Sequence, residues 1–474
     1  MPHVLLIRPL CAGDEPEFAE PLGIERLAGY LRAAGAAEVT VLDRRLYQQE
    51  RRADLARSRF WDDVREACAE REPSVVGLSL MTSADVPDAL RIISRMRSLY
   101  PTARLVAGGL YVTTDPKGAQ TRLPRAVTLL SGEGELSLLA FVTGEPERTE
   151  PLTPDGWALP YRPDLERYAA LGCAVNMQTS RGCPGACTFC ATPQLVAELR
   201  RWQPRSLSLV VDEMEAEAAR LARDGLPAVF NFVDDDFGPL ERVEELAYEL
   251  RRRQLRVAFA LEMRLASLIG QTDLAARLSS LHEAGLTRVF VGVESLEPST
   301  LRRWHKAYDV ERLPEVLAAC AEAGIMLQAG YILWHADQTV TGACAEVEAL
   351  ARMGLYSHRA GLSRLIVFPG CALAEADSDS MGFQRMDALA ERFYQQFSEQ
   401  SQALARAWTS AALREPYEVA KAHLTGDETR VEALCHTLDE VNVRSLELFR
   451  KLAQEELSST YATEQDTAQG ATSS

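Results

Sequence analysis

Three cysteines carry the clearest chemistry in the chain. They stand in Gln178-Thr-Ser-Arg181-Gly182-Cys183-Pro184-Gly185-Ala-Cys187-Thr-Phe189-Cys190, spaced so that a tight loop can turn all three thiolates towards one metal centre. Gly182, Pro184 and Gly185 supply the turn. Thiolates this close together favour soft or borderline metals, which leaves zinc and an iron-sulfur cluster as candidates. A structural zinc site takes four protein ligands, normally from two knuckles, and no second Cys-x-x-Cys occurs in the sequence. Either Cys173 completes a zinc knuckle, or three ligands on a four-iron cluster leave one iron open to a small molecule.

The elements that must position this loop are strands. The apolar Ala174-Val-Asn-Met run leads directly into it. Strand-like runs recur after it at 228–233, 256–261, 287–293, 325–333 and 362–367, each separated by a helical stretch, so six strands are expected with the first. Ahead of the loop, short apolar runs at 3–8, 38–43, 74–80, 104–107 and 126–130 alternate with helical patterns near 23–34, 55–70 and 86–99. That alternation predicts a doubly wound parallel sheet covered on both faces. Ligands of such sheets bind at the carboxyl ends of the strands. Those ends read Asp43-Arg-Arg45, Gly77-Leu-Ser79-Leu-Met81, Gly108-Gly109 and Ser131-Gly132-Glu133-Gly134-Glu135.

With its aromatic residue before the last cysteine, the Cys-x3-Cys-x2-Cys loop resembles that of the radical S-adenosylmethionine (SAM) superfamily. The resemblance implies a partial (β/α)6 barrel and a 4Fe-4S cluster on Cys183, Cys187 and Cys190, with Phe189 beside it. The open iron of such a cluster binds the amino and carboxylate groups of SAM and releases a 5′-deoxyadenosyl radical. The N-terminal strand ends resemble the cobalamin-binding domain that precedes the barrel in a large subfamily. Ser79, Met81, Gly108, Gly109, Gly132 and Glu133 match its marks, and Asp43 stands at its Asp-x-His-x-x-Gly turn. Arg45 replaces the histidine of that turn and Gln48 its glycine, so cobalt cannot take a histidine from there. By the same analogy Asp234 and Asp235 fall near the SAM amino group, and Glu294 and Ser295 near its ribose or carboxylate.

The fifth barrel strand departs from the family. Where relatives read Gly-Phe-Ile-x-Gly-x-Pro-Gly-Glu-Thr, this chain reads Gly330-Tyr331-Ile-Leu-Trp334-His335-Ala-Asp337-Gln338-Thr339. Strand alternation from Gly330 predicts that Trp334 faces the barrel interior, where it shapes the substrate pocket, and that His335 faces outward.

The expected organisation is an α/β cobalamin-binding-like domain (1–143), a semi-rigid Pro-rich linker (144–168), the barrel (169–376), a helical cap (377–457) and a disordered tail (458–474). A chain of 474 residues with 51 basic and 68 acidic side chains, net charge −17, is not a general polyanion binder, so no nucleic-acid partner is expected. No apolar run is long enough to span a membrane, and ten cysteines, three clustered and the rest scattered, suit a reducing compartment, so the protein is expected in the cytoplasm. The resemblance implies an enzyme acting on an unactivated carbon of a small molecule or peptide, most often as a C-methyltransferase, with an external electron donor such as flavodoxin or ferredoxin. Rearrangement, cyclisation or epimerisation without methyl transfer is the alternative, and a non-catalytic iron-sulfur protein the second alternative.

Overall fold

The computed structural model describes residues 1–11, 19–49, 53–146, 152–192, 202–306, 308–369, 371–374 and 382–471. Gly370, at the end of the expected sixth barrel strand, lies outside them, as do the linker residues 147–151.

The first sheet is parallel throughout. Its strands β1 (His3–Arg8), β2 (Glu38–Asp43), β3 (Val75–Ser79), β4 (Arg104–Gly108) and β5 (Val127–Leu129) lie in the order β2-β1-β3-β4-β5. Alternation along β1 explains why a continuous apolar run was needed. Leu5 and Ile7 enter a core with Val76, Leu78 and Ile92, whereas Val4 and Leu6 enter another with Ile24, Leu31 and Leu138. Both faces are therefore buried, under helices that include α1 (Leu22–Ala33), α2 (Ala53–Ala67), α3 (Val86–Leu99) and α4 (Gly134–Thr143). The strand order reverses between β1 and β3, which opens a crevice at their carboxyl ends.

The linker is not a loose tether. Its backbone crosses α1 so closely that a Cβ on Gly29 would lie 1.9 Å from the Leu159 carbonyl oxygen. Arg162 is wholly buried and donates to Glu20 of the first domain, to the Asn176 carbonyl at 2.8 Å and to Glu213 of the barrel at 3.2 Å. The short helix α5 (Leu165–Ala170) then delivers the chain to the barrel.

Five parallel strands form the barrel sheet: β6 (Val175–Met177), β7 (Val229–Phe232), β8 (Ala258–Met263), β9 (Leu286–Glu294) and β10 (Met326–Tyr331), each beside the next in sequence. The sixth expected strand is reduced to a parallel bridge between Trp334 and Arg364, and Ile366–Val367 pairs instead with Gly382–Phe383. Helices α6 (Leu207–Arg223), α7 (Leu240–Arg252), α8 (Leu274–Glu283), α9 (Leu313–Glu322) and α10 (Val340–Arg352) cover the convex face. Val289, Val291 and Val293 of β9 point into that helical core, so Arg288, Phe290, Gly292 and Glu294 point to the concave side.

A cap of α11 (Ala388–Gln400), α12 (Gln402–Ala412), α13 (Glu415–Thr425) and α14 (Thr429–Ala471) completes the chain. Helix α14 runs on through the stretch expected to be disordered, in a sequence whose Ala, Glu and Gln residues are good helix formers. Residues 472–474 lie outside the described residues. No described helix is long and apolar enough to cross a membrane.

Candidate functional site

The cysteine loop leaves β6 and is anchored at its first two residues. Asp234, at the end of β7, accepts from the Thr179 and Ser180 backbone amides and from both hydroxyls. Burial pushes its carboxyl up to about 6 in spite of these four donors. Asp234 is thus the clamp that fixes the loop, 1% exposed and turned to Thr179 and Ser180 rather than to the ligand position expected from analogy. Gly182 then takes φ +79°, a conformation that favours glycine, and turns the chain into Cys183.

The three thiols are half-buried around Gly185. Its amide donates to the Cys183 Sγ and that of Thr192 to the Cys190 Sγ, both at 3.4 Å. A Cβ on Gly185 would stand 3.3 Å from the Cys183 Sγ and 3.7 Å from the Cys187 Sγ, so only glycine leaves the space between them clear. Burial pushes Cys183 up to about 11 and Cys187 in the same direction. Among the described residues no three His, Cys, Asp or Glu side chains are already drawn together as they would be around a single metal ion. Cys173 belongs to the core of the first domain, before β6 rather than after it, and is 6% exposed.

Phe189 packs edge-on against Trp304, ring centroids 5.4 Å apart, and Trp304 against His335 at 5.1 Å. Lys306 lies 5.8 Å from the Phe189 ring and pairs with Glu294 at 3.1 Å. Glu294 itself holds φ +65° beside a register shift between β9 and β10, a strained position of the kind found at working sites. Glu294 therefore reaches the loop through Lys306. Ser295 does not, since it is fully buried and donates to Glu346 at 3.1 Å.

Trp334 and His335 have the reverse of the expected orientations. β10 stops at Tyr331, so its alternation does not extend to residue 334, and Leu333 and Trp334 both enter the helical core. Trp334 has no exposed surface, donates from Nε1 to the Gly361 carbonyl at 2.8 Å and packs on Phe393 and Phe449 of the cap. His335 is the residue turned towards the cysteine loop, 4% exposed, and burial lowers its pKa.

A cavity of about 350 Å3 opens between the two domains. Ser79, Met81, Gly108, Gly109, Gly132 and Glu133 line it from the first sheet, and Gln178, Arg181, Gly182 and Asp235 from the barrel. Asp235 also accepts from the Thr192 hydroxyl at 3.0 Å, beside the last cysteine. A Cβ on Gly23 or Gly132 would meet nothing within 4 Å, so the walls are broad and bare. Asp43 and Arg45 are not among the lining residues. β2 is an edge strand, and Arg45 grips the Asp43 carboxylate with two nitrogens while Tyr168 donates to it, so their role is internal pairing.

Glu133 apart, the residues that join the two halves of this site were not legible in the sequence. Arg181, one residue from the cysteine turn, pairs with both Glu133 and Glu135. Arg26 donates to Gln178 at 2.7 Å, and burial with the neighbouring Arg181 lowers its pKa to about 10. Both guanidinium groups stack on Trp157 of the linker, at 4.2 and 4.5 Å. The adjacency of Arg181 to Gly182 and Cys183 was the one available signal.

Residues 177–335 match the Radical SAM superfamily model and residues 16–142 that of the B12 binding domain. The chain is 22% identical over 346 residues to a protein of Pyrococcus horikoshii named an uncharacterized methyltransferase, covering 67% of this chain and 70% of that one. It is 25% identical over 375 residues to the anaerobic magnesium-protoporphyrin IX monomethyl ester cyclase of Rubrivivax gelatinosus, covering 71% and 63%. Among solved structures, the cobalamin-dependent SAM radical enzyme OxsB, with aqua-cobalamin and SAM bound, superposes with a TM-score of 0.70 over 99% of this chain and 81% of that one, at 15% identity. At that identity the likeness is one of fold.

Proposed function

We propose, for a chain that belongs to the radical SAM superfamily and carries its B12-binding domain, that it is a cobalamin-dependent C-methyltransferase acting on an unactivated carbon of a small molecule or peptide. One observation carries this reading. The cavity at the carboxyl ends of the first sheet shares a wall with the cysteine loop, through Gln178, Arg181, Gly182 and Asp235.

The residues present fit the groups the family uses. Cys183, Cys187 and Cys190, carried on one loop with Gly185 leaving room beside the first two, would hold a 4Fe-4S cluster of the kind that binds SAM. The glycine-walled cavity would hold cobalamin, and no histidine lines it among the described residues. When bound, SAM on the cluster supplies a radical that removes a hydrogen atom, and methylcobalamin supplies the methyl group.

The chain's own contribution is placement and shielding. Asp234 fixes where the loop begins, and Arg181 with Glu133 and Glu135 fixes the loop against the cavity. Lys306 holds a positive charge beside Cys187 and Phe189. The apolar faces of Phe189 and Trp304 exclude water from one side of the loop. No disulfide forms among the described residues, in keeping with a reducing cytoplasm, where flavodoxin or ferredoxin would deliver the electron.

Anaerobic incubation with SAM carrying a deuterated methyl group and an extract of the host's metabolites tests the proposal. The expected result is 5′-deoxyadenosine together with a metabolite that has gained the label. Deoxyadenosine with an altered but unlabelled metabolite would instead identify a cyclisation or rearrangement, the second reading, which the cyclase among the relatives favours.

A further inference from the structure

Resting on the reading of the barrel as the place where substrate meets the radical, we infer that the concave face of the barrel binds an oxyanion of the substrate, a carboxylate or phosphate, through Arg288 and Gln328.

The geometry begins with α13, which packs Tyr417 and Ala420 against Val229 and Ala258 and so floors the concave face at the amino ends of β7 and β8. One layer above this floor, strand register sets Asn176 of β6, Asn231 of β7 and Arg288 of β9 side by side, with only Ala260 of β8 between the last two. They form a hydrogen-bonded row. Arg288 donates to the Gln328 Oε1 and, at 3.0 Å, to the Asn231 Oδ1, and Asn231 donates onward to Asn176 at 3.2 Å.

The partners of Arg288 are unusual. Most buried arginines among the described residues sit on carboxylates, as Arg162 does on Glu20 and Glu213 and Arg181 on Glu133 and Glu135, whereas Arg242 rests on the Thr179 and Arg205 carbonyls. Arg288 touches only neutral amide oxygens, and its Nε is buried without a partner. Glu262 and Glu415 are near enough for their charges to be felt, yet neither pairs with it. Because Gln328 spends its oxygen on the guanidinium, its Nε2 faces away as a second donor with no partner among the described residues. A full positive charge with no carboxylate bonded to it, together with the unmatched Arg288 Nε and Gln328 Nε2 donors, is complementary to an acceptor-only, negatively charged group.

The same face sets the length of the molecule. Residues 288, 290 and 292 share it, and at about 3.3 Å per residue Gly292 lies roughly 13 Å from Arg288, at the rim where Lys306 and the cysteine loop meet. Phe290 stands between them with Glu262 beside it in register, and at the rim the Glu294 carboxylate and the Lys306 ammonium take the space into which a Cβ on Gly292 would project. The fitting substrate is an elongated molecule with an anionic head on Arg288, an apolar or planar middle along Phe290 and its reacting carbon at the rim.

Isothermal titration of the anaerobic holoenzyme with octanoate, octyl phosphate and octanamide tests this. Octanoate or octyl phosphate, whichever matches the natural head group, should bind at least tenfold more tightly than the amide. Arg288→Gln, which removes the charge and leaves a polar side chain, should abolish that preference, and Arg288→Lys should keep part of it. Gln328→Leu, which leaves the charge in place, should weaken anion binding a few-fold and guards against misfolding of the arginine variants. Equal affinity for anion and amide, no anion binding by the wild type, or a preference that survives Arg288→Gln would overturn the inference. Those outcomes leave methyl transfer untouched, whereas an intact anion preference without labelled product would sink the methyltransferase reading alone.

Discussion

His335 meets Trp304 edge to face, ring centroids 5.1 Å apart at 77°, and through it supports Phe189 in the cysteine loop. A histidine that looks like a surface residue in the sequence is thereby the third ring of a stack that ends between Cys187 and Cys190.

Replacing His335 by alanine should lower cluster content, because Trp304 loses its backing and Phe189 its fixed neighbour. Iron and sulfide per folded protein, measured after anaerobic reconstitution, should fall in His335→Ala and stay unchanged in Trp334→Ala. The tryptophan variant should instead lose about 3–5 kcal/mol of stability through the cavity it leaves against Phe393 and Phe449, read as a lower urea midpoint.

Alanine at Cys183, Cys187 or Cys190 should remove the charge-transfer absorption of the cluster. Cys173→Ala should retain it, since that thiol packs in the other domain's core. A variant of Cys173 that lost the cluster would return the zinc-knuckle arrangement to consideration.

Gly23 lines the cavity and has open space where a Cβ would project. Gly23→Phe should therefore fold normally yet block cobalamin, which desalting after incubation with hydroxocobalamin will reveal as loss of retained cofactor with the cluster intact. In the wild type, electron paramagnetic resonance of bound cob(II)alamin should lack nitrogen superhyperfine splitting, because no histidine lines the cavity among the described residues.

His358 sits under α14, its Nδ1 2.9 Å from the Ser445 hydroxyl and its Nε2 buried without a partner. Burial lowers its pKa to about 4. The unfolded chain takes up a proton near the usual value of about 6.5 while the folded one does not, so stability is complete above that pH and is lost as pH falls towards 4. Urea midpoints across this window should decline, and His358→Gln should flatten the decline.

The cysteine loop, both parallel sheets and six lining residues of the cavity could be read from the sequence because each is a local signal: a spacing, an alternation, a glycine at a strand end. Asp43 and Arg45 could not, since an Asp-x-Arg at a strand end looks the same whether it faces a ligand or, as here, closes on itself at an edge strand. Trp334 was misread because alternation was carried three residues past the end of β10. The clasp of Arg26, Arg181, Glu133, Glu135 and Trp157 joins residues up to 155 positions apart, and nothing local marks such pairs.

Arg162 also bears on the order in which the protein is made. Residues 1–143 leave the ribosome before the arginine that neutralises Glu20, and Glu213 follows later still. Until Arg162 and Asn176 emerge, Glu20 lacks the partners that bury and neutralise it, so the first domain reaches its final form only once the linker and the first barrel strand have followed it. The same constraint limits evolution by recombination. A crossover at the linker would import a new partner domain without the charge that its predecessor received, and exchange succeeds only where the segment from Arg162 through Glu213 travels with the sheet that carries Glu20.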